Sequence, residues 1–422
     1  MSGKPLHIAS DELLPDLLSV TAPPVGADQD VPEASGMLGG VNQGRRAANI
    51  RWRGRSGDEL LPDFFTDDRS ELWDALRKRG PVVFIEDSAF MNGYCLTRAD
   101  DVLAALRNPE VFSLNALDRP DHARWRAILQ PLLSSRAVKE MEPALQDQAA
   151  AVVEAVAPQG SCEVIADVAE PFAAQVLLTV LGLPPQDGDR LLRWEKALWA
   201  IQRAPLAAVT GVRFEDLVQK FEMLAYLAEA FAQRRARPDI AGVLSGLVAG
   251  DNGFDEAEAC AVVETLIAAG ITPFRSAVGF VFLDLARDPR LCASLRENPA
   301  GIEGFVEDVL RREPPAPVII RRAAQNVTVA GVEIPAGARV GLCVGAAIQE
   351  DMADGHGSRA DYWAFGGGPH RCVAVSLAKT ALTLLVSEWL RTIPAFGLDA
   401  ESVPPVILDD AVRLSSLPLR WH

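Results

Sequence analysis

Apolar residues recur three and four positions apart along six long segments, 137–157, 171–181, 187–202, 215–236, 255–287 and 300–312. A chain patterned this way builds a mainly α core. Strand character is confined to short stretches. PVVFIED and FMNGYCLTR lie between the helical segments SELWDALRKRG and ADDVLAALRN, and residues 317–344 carry VII, VTVAGVEI and ARVGLCV, punctuated by Gly and Pro. A last helix is expected from about 373 to 391. The fold class is therefore mainly α with small β-sheets. Residues 1–60, including TAPPVGADQD and GMLGGVNQG, show little periodicity and are expected to be a partly disordered N-terminal arm, with 61–422 forming a single domain. No internal repeat is present.

Composition narrows the function classes. With 49% hydrophobic and 23% charged residues, the 422-residue chain can bury one large core without disulfides. Apolar stretches such as LTLLVSEWL at 382–390 are broken by charge well short of the roughly 18 residues of a membrane span. Acidic residues in MSGKPLHIASDELLPDLL argue against a secretory signal, so a cytoplasmic protein is expected. A formal net charge of −16 argues against a general nucleic-acid role. Six cysteines, Cys95, Cys162, Cys260, Cys292, Cys343 and Cys372, are spread singly with no CxxC pair, so most should be buried thiols.

Cys372 stands apart by context. In AFGGGPHRCVAVSLAKTALTLL, at 364–385, a glycine-rich loop leads directly into a cysteine that opens an amphipathic helix. Backbone amides and the positive end of the helix dipole favour a thiolate there, and the glycines let main chain approach a flat cofactor. FGGGPHRCVA resembles the haem-binding signature of the cytochrome P-450 family, F-x-x-G-x-x-x-C followed by a small residue. Phe365, Gly368 and Cys372 match position by position, and Ala374 stands where glycine is commoner. The resemblance implies the cytochrome P-450 fold and haem b, iron protoporphyrin IX, with Cys372 as the proximal metal ligand, Phe365 shielding the sulfur and His370 facing a propionate.

Further motifs follow in the family's order, so that the resemblance spans roughly residues 65–420. DRPDHARWR at 118–126 resembles D-x-P-x-H-x-x-x-R, and His122 and Arg126, four apart on one helix face, would hold haem propionates. Arg321 sits where the family places another propionate-binding arginine. FVEDVLRREPP at 305–315 resembles the E-x-x-R helix, with Asp308 in place of glutamate beside Arg311 and with Arg359 as a possible third partner.

The resemblance fails at the oxygen-binding helix. AAGITPF matches A-G-x-(D/E)-T-T only in part: Thr272 replaces the acid, Pro273 replaces the proton-steering threonine, and Phe274 follows. With Gly270 as the pocket-facing reference, 100° per residue puts Pro273 and Phe274 on the same side and Arg275 about 140° away, outside the pocket. Proline removes an amide and clashes with the carbonyl of Ala269, so a kink is expected, and the freed carbonyl could hold a water. Only Leu114 to Leu117 separate Phe112–Ser113 from Asp118, where relatives insert a lid over the substrate.

The sequence thus points to a haem-thiolate oxidoreductase of specialised metabolism, a monooxygenase with Gly270, Thr272, Pro273 and Phe274 at the reacting face. The substrate is a small molecule, free or carrier-tethered, and the electron donor is a ferredoxin with its reductase. Alternatives are peroxide-driven chemistry, an oxidative coupling or rearrangement, and a non-catalytic haem-binding accessory protein.

Overall fold

The computed structural model describes residues 51–54, 57–60, 69–85, 93–114, 121–203, 212–237, 239–249, 254–354, 363–399, 406–408 and 411–421. Thirteen α-helices lie among them: α1 (Ser70–Arg79), α2 (Ala99–Arg107), α3 (Asp121–Leu132), α4 (Ser135–Val156), α5 (Glu170–Leu181), α6 (Gly188–Arg203), α7 (Phe214–Ala236), α8 (Val243–Val248), α9 (Glu256–Arg287), α10 (Pro289–Glu297), α11 (Ile302–Arg312), α12 (Val344–Ala353) and α13 (Val375–Thr392). The six helices that periodicity marks, α4, α5, α6, α7, α9 and α11, fall within two residues of the boundaries it implies, because each is set by an apolar face that must be buried, whereas periodicity does not mark the short α8 and α10.

The longest, α9, starts at a capping box. The Asp255 carboxylate accepts from the Glu258 amide at 2.8 Å, and the Glu258 carboxylate accepts from the Asp255 amide at 2.9 Å. From there α9 runs through the core without interruption at Pro273. At its far end Phe282 meets Trp389 of α13 edge-on, with ring centroids 4.9 Å apart, and Trp389 meets Trp421 at 5.4 Å. Rings so placed add about 0.5–1.5 kcal/mol each beyond the area they bury. Stretches of 18 and 32 residues, Val164–Leu181 and Glu256–Arg287, are long and apolar enough to cross a membrane, but 67% and 78% of their apolar windows are buried inside the protein, as core helices should be.

The strands form one large sheet and three small ones. β1 (Arg51–Gly54), β2 (Gly57–Leu60), β3 (Val82–Ile85), β4 (Gly93–Leu96), β5 (Phe112–Ser113), β7 (Ile319–Ala323) and β10 (Arg339–Leu342) pair in the order β2-β1-β3-β4-β10-β7-β5. Within the stretch expected to be a partly disordered arm, residues 51–54 and 57–60 pair antiparallel, and Trp52 registers with Ile85. Main-chain pairing at a sheet edge needs no hydrophobic period, which is why the sequence pattern did not reveal it. Residues 1–50 lie outside the described residues. β6 (Ser161–Glu163), β11 (Phe396–Leu398) and β14 (Pro418–Trp421) make a three-stranded sheet, β8 (Val327–Val329) pairs with β9 (Val332–Ile334), and β12 (Val406–Leu408) pairs with β13 (Val412–Leu414).

Asp308 and Arg311 do pair, at 3.2 Å, and Arg312 bridges the same carboxylate at 3.3 Å to Asp284 of α9 at 2.5 Å. Arg359 lies outside the described residues, as do Asp118 and Pro120.

Candidate active site

The loop before α13 is built by its glycines. Gly366 and Gly368 take φ of 70° and 65°, the left-handed region that side chains disfavour. A Cβ on Gly368 would lie 2.1 Å from the carbonyl oxygen of Leu106, so the loop can press against the end of α2 only with glycine there. The Cys372 amide donates to the Phe365 carbonyl at 2.9 Å, which closes the loop and sets the sulfur just ahead of α13.

Of the six cysteines, five are buried and Cys372 is exposed. Enough protein nevertheless surrounds its sulfur to desolvate it. Burial pushes its pKa up, while a hydrogen bond from the Ala374 amide and the charges of Arg126 and Arg371 pull it down. On balance the Cys372 pKa is raised, as are those of Cys162 and Cys260, which lack such positive neighbours. Cys162, pushed up to about 12, and Cys260, up to about 11, are held neutral by burial next to carboxylates.

Three of the expected cofactor residues gather around this loop. Arg126 of α3 donates from Nη1 to the Arg371 carbonyl at 2.6 Å, and the rings of His122 and His370 lie 4.1 Å apart at 41°. Arg321 is buried on β7, opposite Val340 of β10, and donates to the Ile320 carbonyl at 3.0 Å. Phe365 is half-buried against the main core. Arg371 escaped the sequence reading, although its place beside Cys372 was a usable signal.

On α9 a narrow stripe stays open: Ala269 and Gly270 are exposed, and Leu266 and Pro273 are half-buried, on a helix otherwise largely enclosed. The reacting-face role expected of Thr272 does not hold. It is only 1% exposed, on the opposite side of the helix, and its hydroxyl donates to Glu195 at 2.5 Å. The 100° spacing itself sets Thr272 about 200° from Gly270. Phe274, expected to line the pocket, is buried, with its ring 5.9 Å from that of Phe172. Arg275 lies away from the stripe as expected. It is buried rather than on the surface, however, donating to Glu170 at 2.5 Å and to Thr272 at 3.2 Å. Glu170 and Glu195 were not singled out from the sequence, since nothing local marks them.

No protein-family model matches the chain. It is 28% identical over 374 residues to "Probable cytochrome P450 127A1" of Sinorhizobium fredii, covering 81% of this chain and 87% of the relative. It is 27% identical over 290 residues to "Biotin biosynthesis cytochrome P450" of Bacillus subtilis, covering 67% of this chain and 73% of that one. These relatives and structural neighbours are cytochrome P450s matched over most of the chain at below 30% identity, and they support placing it with that family. A solved structure of P450BioI in complex with a hexadec-9Z-enoic acid-ligated acyl carrier protein shares the fold, with a TM-score of 0.71 over 83% of this chain and 97% of that one at 24% identity.

The same relatives support an oxidoreductase of the monooxygenase type with haem b as its cofactor. The residues present fit that group. One exposed thiol stands ahead of a helix, after a glycine loop that a Cβ would block, and α9 carries small residues, Ala269 and Gly270, along its open side.

Proposed function

We propose that Cys372 is the axial thiolate of haem b, that His122, Arg126, Arg321 and His370 receive its propionates, and that the enzyme oxygenates an organic small molecule of specialised metabolism. The observation that carries this is that Cys372, alone of the six cysteines in being exposed, follows the Gly366–Gly368 loop and stands just ahead of α13. Bound there, haem supplies oxidising power that no side chain has. The chain's own residues hold the sulfur, shield it with Phe365 and offer an open side at Ala269 and Gly270. Residues 61–422 act as one domain in the cytoplasm, and a ferredoxin with its reductase delivers electrons. The short connection from Ser113 to Asp118 favours a bulky or carrier-tethered substrate, in keeping with the acyl carrier protein complex of P450BioI.

The test is Cys372→Ser. Its ferrous carbonyl complex is expected to lose the red-shifted Soret band of thiolate ligation while helix content persists. A normal thiolate band in the variant would assign the iron to another cysteine.

One observation favours peroxide as an oxidant. The Thr272 hydroxyl is committed to Glu195 and Pro273 has none, so neither can pass a proton to the open side. Side-chain proton transfer contributes roughly 10²–10⁴ in rate where it operates. Hydrogen peroxide brings both protons and both electrons with its oxygen, leaving water when one oxygen atom is inserted into a C–H bond.

A further inference from the structure

The turn of α9 at Pro273 is where the helix's own bonding is weakest, because proline offers no amide to the carbonyl of Ala269. On this turn three buried polar side chains each end on a different element, and two of them, Thr272 and Arg275, leave the helix on the side away from the open stripe. Thr272 reaches Glu195 of α6, Arg275 reaches Glu170 at the start of α5, and Ser276 donates to the Val412 carbonyl of β13. Thr272 and Glu195 are each 1% exposed, Arg275 is 7% and Ser276 is 0%. Polar groups buried this deeply are costly unless satisfied, and in a low dielectric the bonds that satisfy them are strong.

The donors run in one direction, from the Arg275 guanidinium to the Thr272 hydroxyl at 3.2 Å and from that hydroxyl to the Glu195 carboxylate at 2.5 Å. This chain is not a proton path. A guanidinium does not release its proton, and the hydroxyl faces away from the stripe. Its effect is mechanical: it ties down, from behind, the one turn of α9 that lacks an internal bond.

We propose that Thr272, Arg275, Glu195 and Glu170 form a brace that positions the Leu266–Ala269–Gly270–Pro273 stripe against the haem, making them positioning residues for the reacting face. This rests on the assignment of the haem to Cys372. Through the brace the position of α6 is coupled to the stripe, so that a shift of α6 draws on Thr272 and changes the space beside the iron.

The experiment uses the haem-loaded full chain with two probes that bind the iron opposite the thiolate, carbon monoxide and 4-phenylimidazole. Thr272→Val removes the donor, Thr272→Ser keeps it, and Glu195→Gln keeps shape while removing charge. The Ser variant is expected to match wild type. The Val and Gln variants should change the 4-phenylimidazole Kd and the rate of carbon monoxide rebinding after photolysis by between about twofold and about thirtyfold, with the thiolate Soret band intact. A lower melting temperature with both probe readouts unchanged would overturn the proposal and make the network packing alone. If Thr272→Val does not fold, Glu195→Gln decides in the same terms. Absence of a thiolate band in wild type would instead sink the haem assignment, and the brace with it, and is told apart because no substitution is involved.

Discussion

Arg126 places one of its five N–H donors on the Arg371 carbonyl, next to the proposed iron ligand, and His122 stacks against His370 in the same loop. These two α3 residues therefore bear on haem binding twice, through the propionates and through the shape of the loop. His122→Ala and Arg126→Ala are expected to lower the haem-to-protein absorbance ratio, each lost charge-assisted bond being worth about 1.5–3 kcal/mol, while far-UV circular dichroism stays near wild type. Full haem loading in the double variant would remove them from the site. At this scale the site was legible wherever its constraints are local. Phe365, Gly368 and Cys372 lie within eight residues, and a left-handed glycine or a thiol ahead of a helix is a property of the immediate chain. The Thr272–Glu195 and Arg275–Glu170 bonds span 77 and 105 residues, and no local pattern encodes such a pairing.

Helices were easier to read than edges. The period of 3.6 exposes α9 and its neighbours because each must bury a continuous face, whereas the β1–β2 pair is held by main-chain bonds that any sequence can make. The same period separates Gly270 from Thr272, but it does not say whether Arg275 meets water or a buried carboxylate; packing of α5 against α9 decides that. Pro273 belongs to this scale, since α9 continues through it and the lost bond is absorbed within the element. Pro273→Thr restores an amide for Ala269 and puts a hydroxyl on the open side. It is expected to keep the thiolate Soret band and to change the ratio of product to reducing equivalents consumed, measured in parallel turnovers with the electron donor and with hydrogen peroxide. A coupling ratio indifferent to residue 273 would show that this departure from the family pattern does not shape the chemistry.

Across the whole molecule, the pairing of α4 with α13 carries the site, because α13 begins at the Cys372 loop and its far end is fastened to α4. The fastening is Glu388, 3% exposed, which accepts from Gln146 of α4 at 3.1 Å and from Arg391 and Thr392 of its own helix at 3.2 Å each. The Arg391 guanidinium foremost holds the Glu388 carboxyl below the ordinary glutamate range, with burial opposing and Thr392 and Gln146 adding to the lowering. A carboxyl whose pKa is lower folded than unfolded contributes stability that is complete above the unfolded value, about 4.3, and is lost as pH falls through the folded value. Wild type should therefore lose melting temperature steeply on acidification below pH about 4.3, and the loosened α13 should release haem over the same range. Glu388→Gln cannot titrate. It should be less stable than wild type at neutral pH and show a flatter approach to acid, so that the two curves of melting temperature against pH converge at the acid end. The measurement is thermal unfolding of haem-loaded protein from neutral pH downward, with the Soret band reporting haem release. Parallel curves, offset by the same amount at every pH, would mean that the Glu388 carboxyl does not supply the acid sensitivity of the α4–α13 pair.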